Sequence, residues 1–339
     1  MKQVMPRVRW LTHAWRQHRE GLLLKHKLII DADPGIGDAV AIITALLDPR
    51  LDVLGLTGTE GMVSGHQANC NLELLVNSVD VPKWPKIGWA SAELLSNDEM
   101  ALPLTRLNGP HGLGDMEIPC PLPHRRLDSA KVMVDLVKQY PNEITLVCLG
   151  PLTNVMMASE LYPDFLIQLN KLIVLGGTLD APGDATTTSE FNVYANPEAA
   201  RFVLKSSATK ILIPLEVQHK VSLTFSEFDR IQFDEKLPAH RLLSNLLSYA
   251  LKSHRQYLGE EGIHLRELTP LAYMVRPDLF TTEGMAIDIE TQGEITRGMT
   301  IFDRRSKRLW PINIAIATKV DAVGVRDYFS NVLSGRVLS

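Results

Sequence analysis

The sequence predicts an α/β protein with a mostly parallel central sheet flanked by helices, and three observations carry that reading. Short runs rich in β-formers alternate with amphipathic stretches from Leu28 onward. The runs are apolar on both faces, as strands are when helices cover the sheet on each side. Acidic and glycine-rich motifs follow the ends of these runs. In open parallel sheets, ligands gather there, at the carboxyl ends of the strands.

Taken in order, the predicted strands are 28–33, 51–57, 84–88, 144–149, 171–176 and 209–214. Helical patterns lie between them at 38–47, 64–78, 128–140, 151–160 and 197–205. Residues 238–280 read as largely helical, and 284–316 as short alternating segments such as Met285-Ala286-Ile287-Asp288-Ile289-Glu290. This back half is expected to be a helical and short-strand extension of the same domain. The expected division is a basic extension over 1–27 followed by one domain over 28–339. In the extension Lys2, Arg7, Arg9, Arg16, Arg19, Lys25 and Lys27 face only Glu20, with Trp10, Leu11 and Trp15 interleaved. A targeting presequence is Arg-rich and poor in acids in this way, although the apolar core and cleavage signature of a secretion signal are absent; the favoured reading is a basic surface helix or a loose arm packed on the body or a neighbouring subunit.

A chain of 339 residues, 45% hydrophobic and 22% charged, can bury a large core. Its formal charge of −4 gives no electrostatic case for a nucleic acid polymer as partner. No apolar run reaches the roughly 18 residues that a membrane span needs. Cys70, Cys120 and Cys148 are few, odd in number and without metal-ligand spacing. They are expected as thiols in a reducing, cytoplasmic compartment.

The most informative stretch is Asp31-Ala32-Asp33-Pro34-Gly35-Ile36-Gly37-Asp38, three carboxylates where an apolar strand meets a helix. Alternation along the strand points Asp31 and Asp33 the same way, and the Pro34-Gly35 turn folds Asp38 back toward them. Like charges 4 Å apart repel by about 4 kcal/mol at an effective dielectric of 20, so such a trio calls for protonation, hydrogen bonds or a cation. All-oxygen ligands favour a hard ion, calcium or magnesium. The competing local reading makes Asp38 a helix cap and Asp31 an acceptor for turn amides.

Together with four further motifs, this stretch resembles the inosine-uridine preferring nucleoside hydrolase family, whose signature is Asp-x-Asp-Pro-Gly-x-Asp-Asp after a first strand. Gly58 to Val63 with Gln67 and Asn71 resembles the family's second loop, and Asn108-Gly-Pro-His-Gly-Leu-Gly114 its glycine-rich loop. Gly150-Pro-Leu-Thr-Asn154 resembles its Gly-x-Leu-Thr-Asn turn, and Gly176-Gly177 through Glu190-Phe191-Asn192 its sugar-binding stretch. The resemblance implies a nucleoside-hydrolase-like domain, homodimeric or homotetrameric, that cleaves ribonucleosides to base and ribose with a bound calcium ion. It makes Asp33 metal ligand and general base, Asp38 a bidentate ligand, the Thr153 carbonyl a further ligand and Asp31 their support from behind. Glu190 and Asn192 would hold the ribose. Read locally, those two are loop caps, and Thr153 merely starts a helix.

Several positions depart from the family's pattern. Gly37 replaces the first of the paired aspartates, whose carboxylate in the family holds the sugar 2′-hydroxyl. Met62 stands for Asn, Asn108 for His, and Asp184 for an Asn that touches the sugar. The late His-Asp motif aligns with Arg266-Glu267, where Glu267 can still ligate calcium but Arg266 stays protonated and is a poor general acid. His264, His111 and His254 are candidate acids by residue type alone. Two other functions compete with hydrolysis: a metal-binding protein that recognises a nucleoside or ribosyl compound with little turnover, and a magnesium-dependent phosphatase. The phosphatase reading fits poorly with Pro34 after the second aspartate.

Overall fold

The computed structural model describes residues 25–90, 105–118, 120 and 126–336. The basic extension expected over 1–27 lies outside them, apart from its last three residues.

Twelve strands form among the described residues: β1 (His26–Ala32), β2 (Leu51–Gly58), β3 (Lys86–Gly88), β4 (Ile144–Cys148), β5 (Lys171–Leu175), β6 (Lys210–Ile213), β7 (Ser222–Thr224), β8 (Gly262–His264), β9 (Phe280–Met285), β10 (Ile287–Ile289), β11 (Thr300–Phe302) and β12 (Ile314–Val320). Eight of them make one sheet in the order β3-β2-β1-β4-β5-β6-β12-β9. All neighbours in it are parallel except β12 and β9. The back half therefore does more than extend the domain. It supplies β12 and β9, which complete one edge of the central sheet.

The longer helices are α1 (Ile36–Leu47), α2 (Gly65–Asn77), α3 (Ser129–Gln139), α4 (Thr153–Leu161), α5 (Phe191–Ala195), α6 (Pro197–Lys205), α7 (Pro238–Leu258), α8 (Leu268–Val275) and α9 (Ala322–Leu333). Strand alternation divides the core in two. Leu28 and Ile30 of β1, with Val147, Ile173 and Ile211, pack toward α1, α2, α7, α8 and α9. Ile29 joins Leu146, Leu172, Val174 and Leu212 on the opposite face, under α3, α4 and α6. Helices on both faces explain why the strands are apolar throughout.

Cys70 and Cys120 correct the expectation of three thiols. They form a disulfide with Cα atoms 5.0 Å apart, bridging 50 residues of sequence, and Cys148 remains a buried thiol. The bridge fastens the segment after the glycine-rich loop to α2 at a buried position, with His66 Nδ1 3.4 Å from Cys70 Sγ. Spacing in sequence could not reveal that packing.

Candidate active site

The first strand delivers Asp33 to the carboxyl end of the sheet, where the loops after β2 and β4 close around it. A Cβ on Gly61 would lie 2.1 Å from Asp33 Oδ2, and one on Gly150 2.4 Å from Oδ1. Only glycine permits both approaches. The backbone N–H of Met62 donates to Asp33 Oδ2 at 2.6 Å.

Asp38 stands in the first turn of α1. Its Oδ2 accepts the Gly35 N–H at 3.0 Å, while Oδ1 is buried without a hydrogen-bond partner. The cap uses one oxygen and leaves the other without a partner, so a bidentate ligand here would share Oδ2 with the Gly35 amide. Asp31, fully buried in β1, accepts Thr57 Oγ1 at 2.7 Å and Asn154 Nδ2 at 2.8 Å. It does not line the cavity. Thr153 also lies outside the lining, with its hydroxyl accepting from Asn196 Nδ2 at 3.0 Å.

One cavity brings together Asp33, Asp38, Met62, Asn108, Asp184, Glu190, Asn192, Arg266 and Glu267. Asn108 Oδ1 accepts the Ile36 N–H at 3.2 Å, joining the glycine-rich loop to α1. Asn71 anchors the same loop by donating to the carbonyls of Pro34 and His111. Glu190 caps α5, with Oε2 accepting Gly177 N–H at 2.9 Å and Val193 N–H at 3.2 Å. Its other oxygen, Oε1, is buried without a hydrogen bond and lies 3.9 Å from Arg266 Nη2. Asn192 donates to the carbonyls of Leu149 and Leu175, across two strand ends. Arg266 is fixed by Gln218 Oε1 at 3.0 Å and Asp184 Oδ2 at 2.9 Å.

Of the candidate histidines, His254 and His264 line this cavity, and His111 lines an adjoining one. His219, which sequence reasoning missed, stacks on His264 at 4.8 Å. Also missed was an apolar wall of Leu107, Phe191, Leu247, Ala250 and Ile263. No sequence signal marked it, because helical residues facing a cavity repeat with the same period as those facing the core.

Burial dominates the electrostatics. It pushes the Asp33 carboxyl up to about 7, with Glu267 and Asp31 adding to the rise against the Met62 amide. Asp31 is raised to about 7 by burial, against its hydrogen bonds from Asn154 and Thr57. Asp38 is lifted well above the carboxylate range by burial and by the charges of Asp33 and Glu267. Glu190 rises to about 7 through burial and Asp184, opposed by Arg266. Such a group of buried acids is the environment a hard cation relieves. The unpartnered Asp38 oxygen and the all-oxygen donor set fit calcium.

A parallel sheet with an acidic, partly apolar cavity at its carboxyl ends defines an α/β small-molecule site. The chain belongs to the inosine-uridine preferring nucleoside hydrolase family, whose model matches residues 28–327. It is 33% identical to uridine nucleosidase 1 of Arabidopsis thaliana, over 91% of this chain and 93% of that one. It is 31% identical to the non-specific ribonucleoside hydrolase RihC of Salmonella enteritidis, over 91% and 97%. The purine-preferring ribonucleoside hydrolase from Gardnerella vaginalis superposes with a TM-score of 0.82 at 27% identity, covering 91% of this chain and 98% of that one.

Proposed function

We propose that this protein hydrolyses the N-glycosidic bond of purine and pyrimidine ribonucleosides, with Asp33 as general base. The observation that carries the proposal is the setting of Asp33, cradled by two glycine loops on the wall of the cavity that Asp38, Glu190 and Glu267 also line. A carboxylate fixed in such a place is suited to taking a proton from an adjacent water. In the balanced step a C1′–O bond forms as the C1′–N bond breaks. Asp33 receives one water proton and the other stays in the new anomeric hydroxyl, while the departing base takes a proton from solvent and Asp33 later returns its own, so that nucleoside and water give ribose and free base.

Asp33, Asp38 and Glu267, which share the cavity, would hold a calcium ion, and the Thr153 carbonyl, outside the lining, joins them by the family resemblance alone. Calcium supplies an orienting charge that favours ionisation of water. Glu190 offers Oε1, which has an ion-pair partner in Arg266 but no hydrogen bond, to a sugar hydroxyl, and Asn192 ties the strand ends beneath it. The anionic surroundings stabilise the positive charge that develops on the ribose ring. The apolar wall accommodates the flat nucleobase. Burial lowers the pKa of both His254 and His264, so both rings are neutral near pH 7; His254 spends its single N–H on the Ala250 carbonyl through Nδ1 at 2.9 Å, which leaves Nε2 as an acceptor for a donor group of the base.

The test is release of reducing sugar from a panel of ribonucleosides in the presence of calcium. Asp33→Asn is expected to lower kcat by about 10²–10⁴-fold with the fold intact by circular dichroism. Saturable nucleoside binding without any sugar release by the wild-type protein would favour the binding-protein reading. Hydrolysis of phosphate monoesters alone would favour the phosphatase.

A further inference from the structure

Gly37 occupies a position that backbone conformation does not explain. It lies in the first turn of α1, outside the left-handed region that favours glycine. Within a helix, glycine is about 1 kcal/mol less favourable than alanine. Space explains it. A Cβ built on Gly37 would fall 1.9 Å from Glu267 Oε2, 2.4 Å from Cδ and 2.9 Å from Oε1.

We propose that Gly37 and Glu267 form one positioning unit, in which the glycine admits the longer acid, so that the third carboxylate beside Asp33 and Asp38 comes from the start of α8. The backbone at Glu267 has little freedom to adjust. Thr269 binds the Arg266 carbonyl through both its N–H at 3.0 Å and its hydroxyl at 2.6 Å. Arg266 is itself held by Gln218 and Asp184. The side chain alone determines where the carboxylate goes. The obstacle to a side chain at 37 is that flexible carboxylate and not main chain, so a methyl group there displaces the acid and leaves the helix folded.

The calcium readout rests on the function proposed above, whereas the structural readout does not. Calcium titration of the wild-type protein, Gly37→Ala, Glu267→Ala and the double variant forms the first arm. Gly37→Ala is expected to weaken calcium binding at least tenfold while the metal-free protein melts no lower than wild type. In the Glu267→Ala background the same change is expected to alter affinity less than twofold, because the group it displaces is gone. Wild-type affinity in Gly37→Ala, or losses that multiply in the double variant, would overturn the proposal. The second arm is a pair of crystal structures. They are expected to show the Glu267 carboxylate over Gly37 in the wild type and displaced in Gly37→Ala. If the wild-type protein binds no calcium, the metal reading fails and the crystal structures alone decide. Open space above Gly37 in the wild type would then overturn the pairing.

Discussion

Asp31 and Asp33 are two residues apart and both buried, yet their surroundings give them different work. Asp31 braces the strand end through Thr57 and Asn154, while Asp33 faces the cavity with one amide for company. Both titrate near 7 in the folded protein and close to 4 when unfolded. Between those values these two carboxyls bind more protons in the folded chain, so their contribution to the stability of the metal-free protein falls as pH rises from about 4 to about 7, against the opposite contribution of buried histidines such as His254 and His264. Urea midpoints of the wild type and of Asp31→Asn, measured in a chelator at pH 4.5 and 7.5, check this: the change toward lower stability at pH 7.5 is expected to be larger in the wild type. Calcium is expected to narrow the difference or reverse it, because the ion favours the ionised acids. The two readings offered for Glu190 prove compatible, since one oxygen caps α5 and the other faces the cavity.

At the level of elements, strands and helices were legible within a few residues wherever period and punctuation agreed. The predicted helix at 197–205 matches α6, with Pro197 at its start and Asn196 capping it. The C-terminal strands were harder to place, because β12 takes its parallel neighbour, β6, from far upstream and β9 pairs, among the described residues, only with β12. Of the site, the acidic motif was legible because its members are close along the chain. The apolar wall and the Gly37–Glu267 contact depend on helices brought from the far end of the sequence. The disulfide was hidden for the same reason. Closing a 50-residue loop, it contributes up to about 4 kcal/mol by the chain-entropy argument. Cys120→Ser is therefore expected to lower the melting temperature under non-reducing conditions, and reductant to lower that of the wild type but not of the variant. Asn71 pins two loop carbonyls, and Asn71→Ala is expected to cost about 1–3 kcal/mol in urea unfolding.

For the whole molecule, a cation bridging α1, the end of β1 and the start of α8 would join parts of the core that meet only after folding. A ligand that binds only the native state stabilises it by about 2.7 kcal/mol at one hundred times its dissociation constant. Calorimetry is expected to show calcium raising the melting temperature of the entire described fold in one transition, and Asp38→Ala removing the effect. Among the described residues no helix is long and apolar enough to cross a membrane. The placement of β12 and β9 at one edge of the sheet also carries a consequence for biosynthesis. The ribosome releases Asp33 and Asp38 early and Glu267 late, and the last strand to dock beside β6 comes later still. A nascent chain thus carries Asp33 and Asp38 well before their partner emerges, and the lasting form of the pocket awaits the segment from Glu267 to β12.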